Sequence, residues 1–444
     1  MDRERIEFEN EILNKLSGKI FLLQDLERKQ EVIFEAFLEV YNSSRFNKFI
    51  KKNKGLDMRK FFNEFLSYGV IDDFLDDLEV EDIMINSTQP IYIHKTTKGL
   101  MKTEKKFNSR EELDLFIRKL IIFSGRQTIK KINNVELSNI KGRVNIVYSP
   151  FGPQITITRA KERPLSITEL IQNGTLPSEI AAQLWMYVEG LRVRPANIII
   201  AGGPGAGKTT LLNAILSFFP SNERTVVIED ILELNTRVLE NCSRLESDED
   251  VNLADLVKNS LRMRPDRVIV GEVRGKEAQD LMTAMNIGKY CMGTLHASTA
   301  RETILRLENE PMCVPSVLVS LVDVIVIMRR FNSDGKIKRV VGELVEIGGM
   351  EQKNVLLSSL WNYDLSSSIF HESIVSSIYR DKIANVSGRT SKEIMEEIKI
   401  RKKIIDRVIE LGIFNIDKLT KIFQDYSDNP KHIIEELGVS CSQG

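Results

Sequence analysis

Asn197-Ile198-Ile199-Ile200-Ala201-Gly202-Gly203-Pro204-Gly205-Ala206-Gly207-Lys208-Thr209-Thr210-Leu211-Leu212 is the stretch that decides the fold of this chain. The apolar run predicts a buried strand, residues 202–209 satisfy G-x-x-x-x-G-K-[ST], and a helix is predicted to follow at once over 209–218. Each residue type has its own part. Glycines let consecutive backbone N–H groups converge on phosphate oxygens, Lys208 adds a cation for the β- and γ-phosphates, and the Thr209 hydroxyl can ligate Mg²⁺. Gly202, Gly203, Pro204, Gly205, Ala206, Gly207, Lys208, Thr209 and Thr210 are therefore the candidate nucleotide-binding residues. A glycine-rich turn arising by chance would lack the strand before and the helix after.

Working outward, apolar runs at 225–228, 267–270, 292–295 and 324–328 read as further strands. They alternate with helical spacing at 178–191, 253–263 and 276–287. Such alternation predicts a parallel sheet covered on both faces. Upstream, 82–86, 91–94, 142–147 and 154–158 read as short strands and 110–123 as a helix. The expected organisation is an α-helical leader over 1–65, a smaller α/β domain over 66–160, a linker over 161–175 carrying Pro164 and Asn173-Gly174, a core α/β domain over 176–347, and a mostly helical region over 348–444.

Composition narrows the class. The 444 residues carry 62 Lys and Arg against 63 Asp and Glu, a net charge of −1, which gives no support to a general nucleic-acid binder. No apolar run is long enough to span a bilayer, and Met1-Asp2-Arg3-Glu4-Arg5-Ile6-Glu7 is too charged for a secretory signal, so a cytoplasmic location is expected. Cys242, Cys291, Cys313 and Cys441 show no C-x-x-C pairing, so neither zinc nor a disulfide framework is indicated. Arg45, Lys48, Lys51, Lys52, Lys54, Arg59 and Lys60 form a basic stretch that reads first as a solvated face and second as a surface for anionic lipid or an acidic partner.

Ligands bind at the carboxyl ends of parallel strands, and three strands bring chemistry to that edge. Val226-Val227-Ile228 ends in Glu229-Asp230, with Glu233 a turn later. Val268-Ile269-Val270 runs into Gly271-Glu272-Val273-Arg274, which fits a Walker B element. Met292-Gly293-Thr294-Leu295 ends at His296, one of only 4 histidines. Carboxylates so placed can act on the Mg²⁺ shell and orient or deprotonate the attacking water, as phosphoryl transfer requires.

The order and spacing of Gly202–Thr209, Ile228-Glu229-Asp230-Ile231-Leu232-Glu233, Leu261–Asp266 with Val270–Arg274, and Gly293-Thr294-Leu295-His296-Ala297 resemble the type II/type IV secretion ATPase family. The likeness extends over roughly 68–347. It implies a RecA-like P-loop core, hydrolysis of ATP with Mg²⁺, and a homo-hexamer at the inner face of the cell membrane. The implied partners are a polytopic platform protein and, indirectly, pilin-like subunits, with no nucleic acid; a conjugation-type nucleic-acid translocase is the alternative. Residue by residue it implies that Glu229 is the general base, Glu272 the Walker B carboxylate partly reaching Mg²⁺ through water with Thr209, and His296 the sensor. Asp230, Glu233 and Arg274 support them. Arg143 and Arg159 would reach the nucleotide from outside the core domain. Two departures stand out. Asn286-Ile287-Gly288-Lys289 replaces a segment that in many members carries a second His, so that role is absent or passes to Lys289, and a tetracysteine metal-binding insertion is missing, so no zinc is expected. Tyr290–His296 and the helical tail look most like archaeal members.

Overall fold

The computed structural model describes residues 3–21, 26–52, 57–126, 128–137, 142–159, 163–248, 250–333, 335–352, 354–373 and 377–439. Its two compact units are Met1–Glu162 with Asp334–Ile337, and Arg163–Ser333 with Lys338–Gly444.

The first unit opens with helices α1 (Arg3–Leu16), α2 (Leu26–Tyr41), α3 (Asn47–Lys52), α4 (Met58–Leu66) and α5 (Asp72–Asp76). Strands β1 (Val80–Asn86), β2 (Tyr92–Lys95) and β3 (Gly99–Lys102), helix α6 (Arg110–Phe123), and strands β4 (Ile132–Leu137), β5 (Gly142–Ser149) and β6 (Gly152–Arg159) complete it. The six strands form one sheet in the order β3-β2-β1-β6-β5-β4, with antiparallel pairings throughout. Alternate residues Ile83, Ile85, Val144, Ile146, Ile155 and Ile157 are buried on one face, as a half-covered strand requires.

The segment expected as a separate leader does not stand apart. Phe8, Ile12, Phe37, Phe61 and Phe65 share a single core with Leu113, Ile117 and Leu120 of α6 and with the sheet. Helical spacing identifies the apolar faces but carries no information about which surface they cover. Lys119 of α6 is buried in that core, its Nζ donating to Glu9 Oε2 at 3.1 Å, Phe65 O at 2.6 Å and Ser67 O at 3.1 Å. In the basic stretch Arg45 pairs with Glu11 and Lys52 with Glu4, both exposed, while Lys54 lies outside the described residues.

The second unit runs α7 (Ile167–Gln172), α8 (Ser178–Glu189), β7 (Ile198–Gly202), α9 (Lys208–Ile215), β8 (Arg224–Glu229), β9 (Asn241–Glu246), α10 (Leu253–Ser260), β10 (Arg267–Val273), α11 (Glu277–Asn286), β11 (Tyr290–Leu295), α12 (Ala300–Glu308) and α13 (Ser316–Val319). Strands β12 (Val324–Ser333), β13 (Lys336–Glu351), β14 (Asn354–Asp364) and β15 (Ile369–Glu372) follow, then helices α14 (Ile378–Ser387), α15 (Ser391–Glu410), α16 (Ile416–Asp428) and α17 (Pro430–Leu437). One nine-stranded sheet results, ordered β15-β14-β13-β12-β7-β11-β10-β8-β9. Strands β12, β7, β11, β10, β8 and β9 pair in parallel, and β13-β14-β15 add antiparallel strands at one side.

Successive residues of β7 feed two cores. Ile198 and Ile200 pack with α8, α9 and the C-terminal helices, whereas Ile199 and Ala201 pack with α10, α11 and α12. A strand buried on both faces reads as an unbroken apolar run, which is why this one is visible in the sequence. Two segments differ from expectation. Residues 161–175 include α7, whose Ser166 and Glu169 form a reciprocal capping box. Residues 348–444 begin with β14 and β15 before the helices start.

Those helices are tied to the core by a buried cluster. Arg401 of α15 is 1% exposed, pairs with Glu189 of α8, donates to Glu397 Oε1 at 3.0 Å, and lies 4.7 Å from the Trp185 ring centroid. Trp185 in turn stacks on Phe218 at 5.5 Å and meets Phe423 of α16 at 4.6 Å.

Candidate functional site

Parallel pairing aligns the strand ends. Ala201 is level with Leu295, Val270 with Gly293 and Ile228 with Val270, so the loop after β7, Glu229, Glu272 and His296 all emerge at one edge. Close strand approach there depends on glycine. A Cβ at Gly202 would lie 2.6 Å from Met328 O, and one at Gly271 would lie 2.8 Å from Glu229 Cγ, so Gly271 makes the room in which the Glu229 side chain sits.

The loop is shaped for an anion. Gly205 and Gly207 take φ of 66° and 96°, a left-handed backbone that glycine adopts without strain, and Gly207 caps the start of α9. Lys208 is buried, and its Nζ donates to Gly202 O at 3.1 Å and Gly203 O at 3.2 Å while lying 3.4 Å from His296 Nδ1. Burial pushes the Lys208 ammonium below its ordinary pKa, partly countered by Glu272. Thr209 and Thr210 stand half-buried in the first turn of α9. Asn213, one turn further on, accepts from Asn235 N at 2.7 Å and so ties the helix to the loop after β8.

His296 bridges two charges. Its Nε2 lies 2.6 Å from Glu272 Oε1, and the other Glu272 oxygen is held by Arg274. With Nδ1 toward the ammonium, the ring proton belongs on Nε2, facing the carboxylate. Burial, then Lys208, depresses the His296 pKa below the ordinary imidazole value despite Glu272. Burial works to raise the Glu272 pKa, but Arg274, His296 and Lys208 overcome it and hold the group below the usual range. Glu272 is thus ionised and His296 neutral at pH 7.

Glu229 is set apart from this chain of contacts. It is 2% exposed, its Oε1 accepts Glu233 N and Leu234 N, each at 3.0 Å, and its Oε2 has no hydrogen bond but lies 3.5 Å from Arg244 Nη2. Burial raises its pKa against those two N–H groups. Asp230 is exposed and accepts from Ser247 at 2.6 Å. Glu233 is exposed in the loop that follows. Lys289 sits just before β11, its carbonyl 3.7 Å from Cys291 Sγ, at the opposite end of that strand from His296.

Arg143 and Arg159 lie in the first unit, on β5 and β6. Arg159 is engaged within its own unit, where its Nη1 donates to Phe74 O at 3.3 Å, Asp77 O at 2.5 Å and Val80 O at 3.3 Å. Three carbonyls on one nitrogen make a clamp on the α5–β1 turn. Two arginines that motif reading passes over stand at the loop itself. Arg339 Nε of β13 donates to Gly205 O at 2.9 Å, and Arg330 of β12 places Nη1 3.2 Å from where a Gly205 Cβ would be.

Among the described residues no group of three or more His, Cys, Asp and Glu is poised to hold a metal. The donor set nevertheless suits Mg²⁺ with a nucleotide, since that ion takes one or two protein oxygens and completes its shell with phosphate and water. Thr209 and Glu272 are the residues that would serve it.

A parallel sheet with a glycine-rich loop between strand and helix at its carboxyl edge defines an α/β protein of the phosphate-loop kind. The sequence profile described as type II/IV secretion system protein matches residues 128–359, and the chain belongs to that family. Among its relatives, an uncharacterised protein of Methanocaldococcus jannaschii is 30% identical over 368 residues, covering 79% of this chain and 66% of its own length. A second protein of that archaeon is 37% identical over 233 residues, 50% of this chain and 32% of its own length. The conjugal transfer protein TrbB of Rhizobium radiobacter is 28% identical over 278 residues, 60% of this chain and 84% of its own. The chain thus spans two thirds or less of the first two relatives. Of solved structures, the Legionella pneumophila ATPase DotB aligns at 19% identity over 79% of this chain and 93% of its own, with a TM-score of 0.47.

Proposed function

We propose that this protein hydrolyses ATP to ADP and orthophosphate and that the released energy drives a type II secretion or type IV pilus-like machine. The observation that supports it best is the convergence of Lys208, His296 and Glu272 beside the glycine loop, within 3.4 Å and 2.6 Å contacts. In this reading Lys208 leaves the Gly202 and Gly203 carbonyls for the terminal phosphates, as a phosphate-loop lysine must. Bound Mg²⁺ would neutralise charge between the β- and γ-phosphates. His296, neutral, with Nδ1 3.4 Å from the ammonium and Nε2 2.6 Å from Glu272 Oε1, exchanges the ammonium for a phosphate oxygen and transmits the loss of the γ-phosphate to Glu272 and Arg274. Glu229 Oε2, buried and without a hydrogen bond, is the atom that takes the proton of the attacking water; its raised pKa makes it a stronger base.

The assembly is proposed to be a homo-hexamer, peripheral at the inner face of the membrane, working against a polytopic platform protein and through it on pilin-like subunits. No helix among the described residues is long and apolar enough to cross a membrane. Arg143 and Arg159 are the arginines proposed to reach a nucleotide from the first unit. Similarity to a conjugal transfer protein favours a second reading, in which the motor acts in DNA transfer. Lys208→Ala is expected to lower kcat by about 10²–10³, with turnover of the parent rising with protein concentration as hexamers form in sedimentation velocity. Full turnover in Lys208→Ala, or in a monomer, rules the proposal out. Strong stimulation by single-stranded DNA moves the second reading ahead.

A further inference from the structure

The glycine loop is flanked by a pair of arginines from outside every recognised motif. Strand β12 runs parallel to β7 with Met328 level with Gly202, the last residue of β7. Beyond that point β7 turns into the phosphate loop while β12 continues, and Arg330, two residues on, is carried about 6–7 Å further along the same direction. Strand β13 then returns beside it and brings Arg339 back to the loop. Arg339 Nε donates to Gly205 O at 2.9 Å, and its Cδ would lie 3.6 Å from a Cβ on Gly207. The Arg330 guanidinium stands over Gly205, with Nη1 and Cζ at 3.2 Å and 3.8 Å from the position of an added Cβ. Both contacted glycines have a positive φ, and the two cations border the loop at Gly205, Arg339 on its carbonyl and Arg330 on its Cα.

We infer that Arg339 is a positioning residue that holds the phosphate loop open by its Gly205 carbonyl, and that Arg330 is a catalytic residue that contacts the terminal phosphates of a nucleoside triphosphate in cis. The inference rests on the ATP-hydrolysis reading above. As the water oxygen bonds to the γ-phosphorus, the bond from that phosphorus to the β–γ bridging oxygen breaks, ADP leaves with the bonding pair, and the proton of the water is released. Negative charge grows on the bridging and γ-oxygens during that exchange. A planar guanidinium beside the loop meets it with two N–H donors at once, where an ammonium offers a point charge. The two positions divide the work. Arg339 acts on the loop whether the nucleotide is ATP or ADP; Arg330, exposed and reaching past the loop, acts where the charge changes.

The test uses the full chain, with steady-state ATP turnover and fluorescent ADP binding measured for Arg330→Ala, Arg330→Lys, Arg330→Gln, Arg339→Ala and Lys208→Ala. Expected for Arg330→Ala is a fall in kcat of about 10²–10³ with ADP affinity within about threefold of the parent, and partial recovery in Arg330→Lys. Expected for Arg339→Ala is ADP binding weakened about tenfold, with the smaller part of its effect in kcat at saturation. An unchanged melting temperature and kcat within about twofold in both Arg330→Ala and Arg330→Gln, in a protein whose turnover still needs Lys208, overturn this inference alone. Absence of ATP turnover in the parent, or its persistence in Lys208→Ala, overturns the hydrolysis reading and this inference with it.

Discussion

Two ionic clusters in the second unit use the same residue types in opposite ways. Around Arg401, a guanidinium 1% exposed is matched by Glu189 and Glu397 and covered by the rings of Trp185 and Tyr426. Burial alone would lower its pKa; the two carboxylates overcome that and raise it. Around Lys208, the ammonium is held by loop carbonyls and the edge of a neutral imidazole, and the carboxylate of Glu272 is shared between His296 and Arg274. In the first cluster the guanidinium is satisfied by carboxylates and rings of the folded chain. The second has partners that a triphosphate can replace one for one. A charge that is saturated holds a fold together, whereas one that is provisionally matched stands ready for a ligand.

The sharpest way to break this contrast is to remove Arg401. Arg401→Ala leaves Glu189 buried without its cation and is expected to lower unfolding stability by about 3–5 kcal/mol in chemical denaturation. A loss below about 1 kcal/mol would place Arg401 among exposed pairs of little worth. Glu272→Gln should do the reverse: turnover falls by about 10², while stability changes by less than about 1 kcal/mol. A variant that loses both together would make Glu272 part of the framework.

The smallest effect concerns Glu229 and pH. Its folded-state pKa is raised, so the folded protein holds this proton more tightly than the unfolded chain. Stability therefore falls as pH climbs from about 4.5 toward the folded value and stays reduced above it. Glu229→Gln, which keeps an acceptor for Glu233 N and Leu234 N, escapes that loss. It should match the parent near pH 4 and exceed it near pH 8 in chemical denaturation. A variant less stable than the parent across this range would mean that the Arg244 contact outweighs the cost of burial.

The phosphate loop and the strands beside it are legible in the sequence because a strand buried on both faces needs an unbroken apolar run, and because a glycine loop needs its residue types at fixed spacing. The roles around the loop are less so. Arg330 and Arg339 lie 125 and 134 residues from Gly205 in sequence, and only the register of β12 against β7 brings them to it. The three carbonyls that Arg159 Nη1 meets come from a turn more than 70 residues upstream, which its own strand pattern does not show. Strand β14 is hidden because its burial does not alternate cleanly and bulges interrupt its pairing with β13. The capping box at Ser166 and Glu169 is readable by its spacing, but a nearby proline and an Asn-Gly pair make the same segment look like a linker.

The ring stack at the base of the phosphate-loop helix gives this protein a built-in optical gauge. Of its 2 tryptophans, Trp361 sits at the antiparallel end of the sheet, and Trp185 lies face to face with Phe218, immediately beyond α9. With Trp361→Phe in place, the emission of a single indole would follow the tilt of the helix that carries Lys208 as nucleotide arrives, in real time and without an added label.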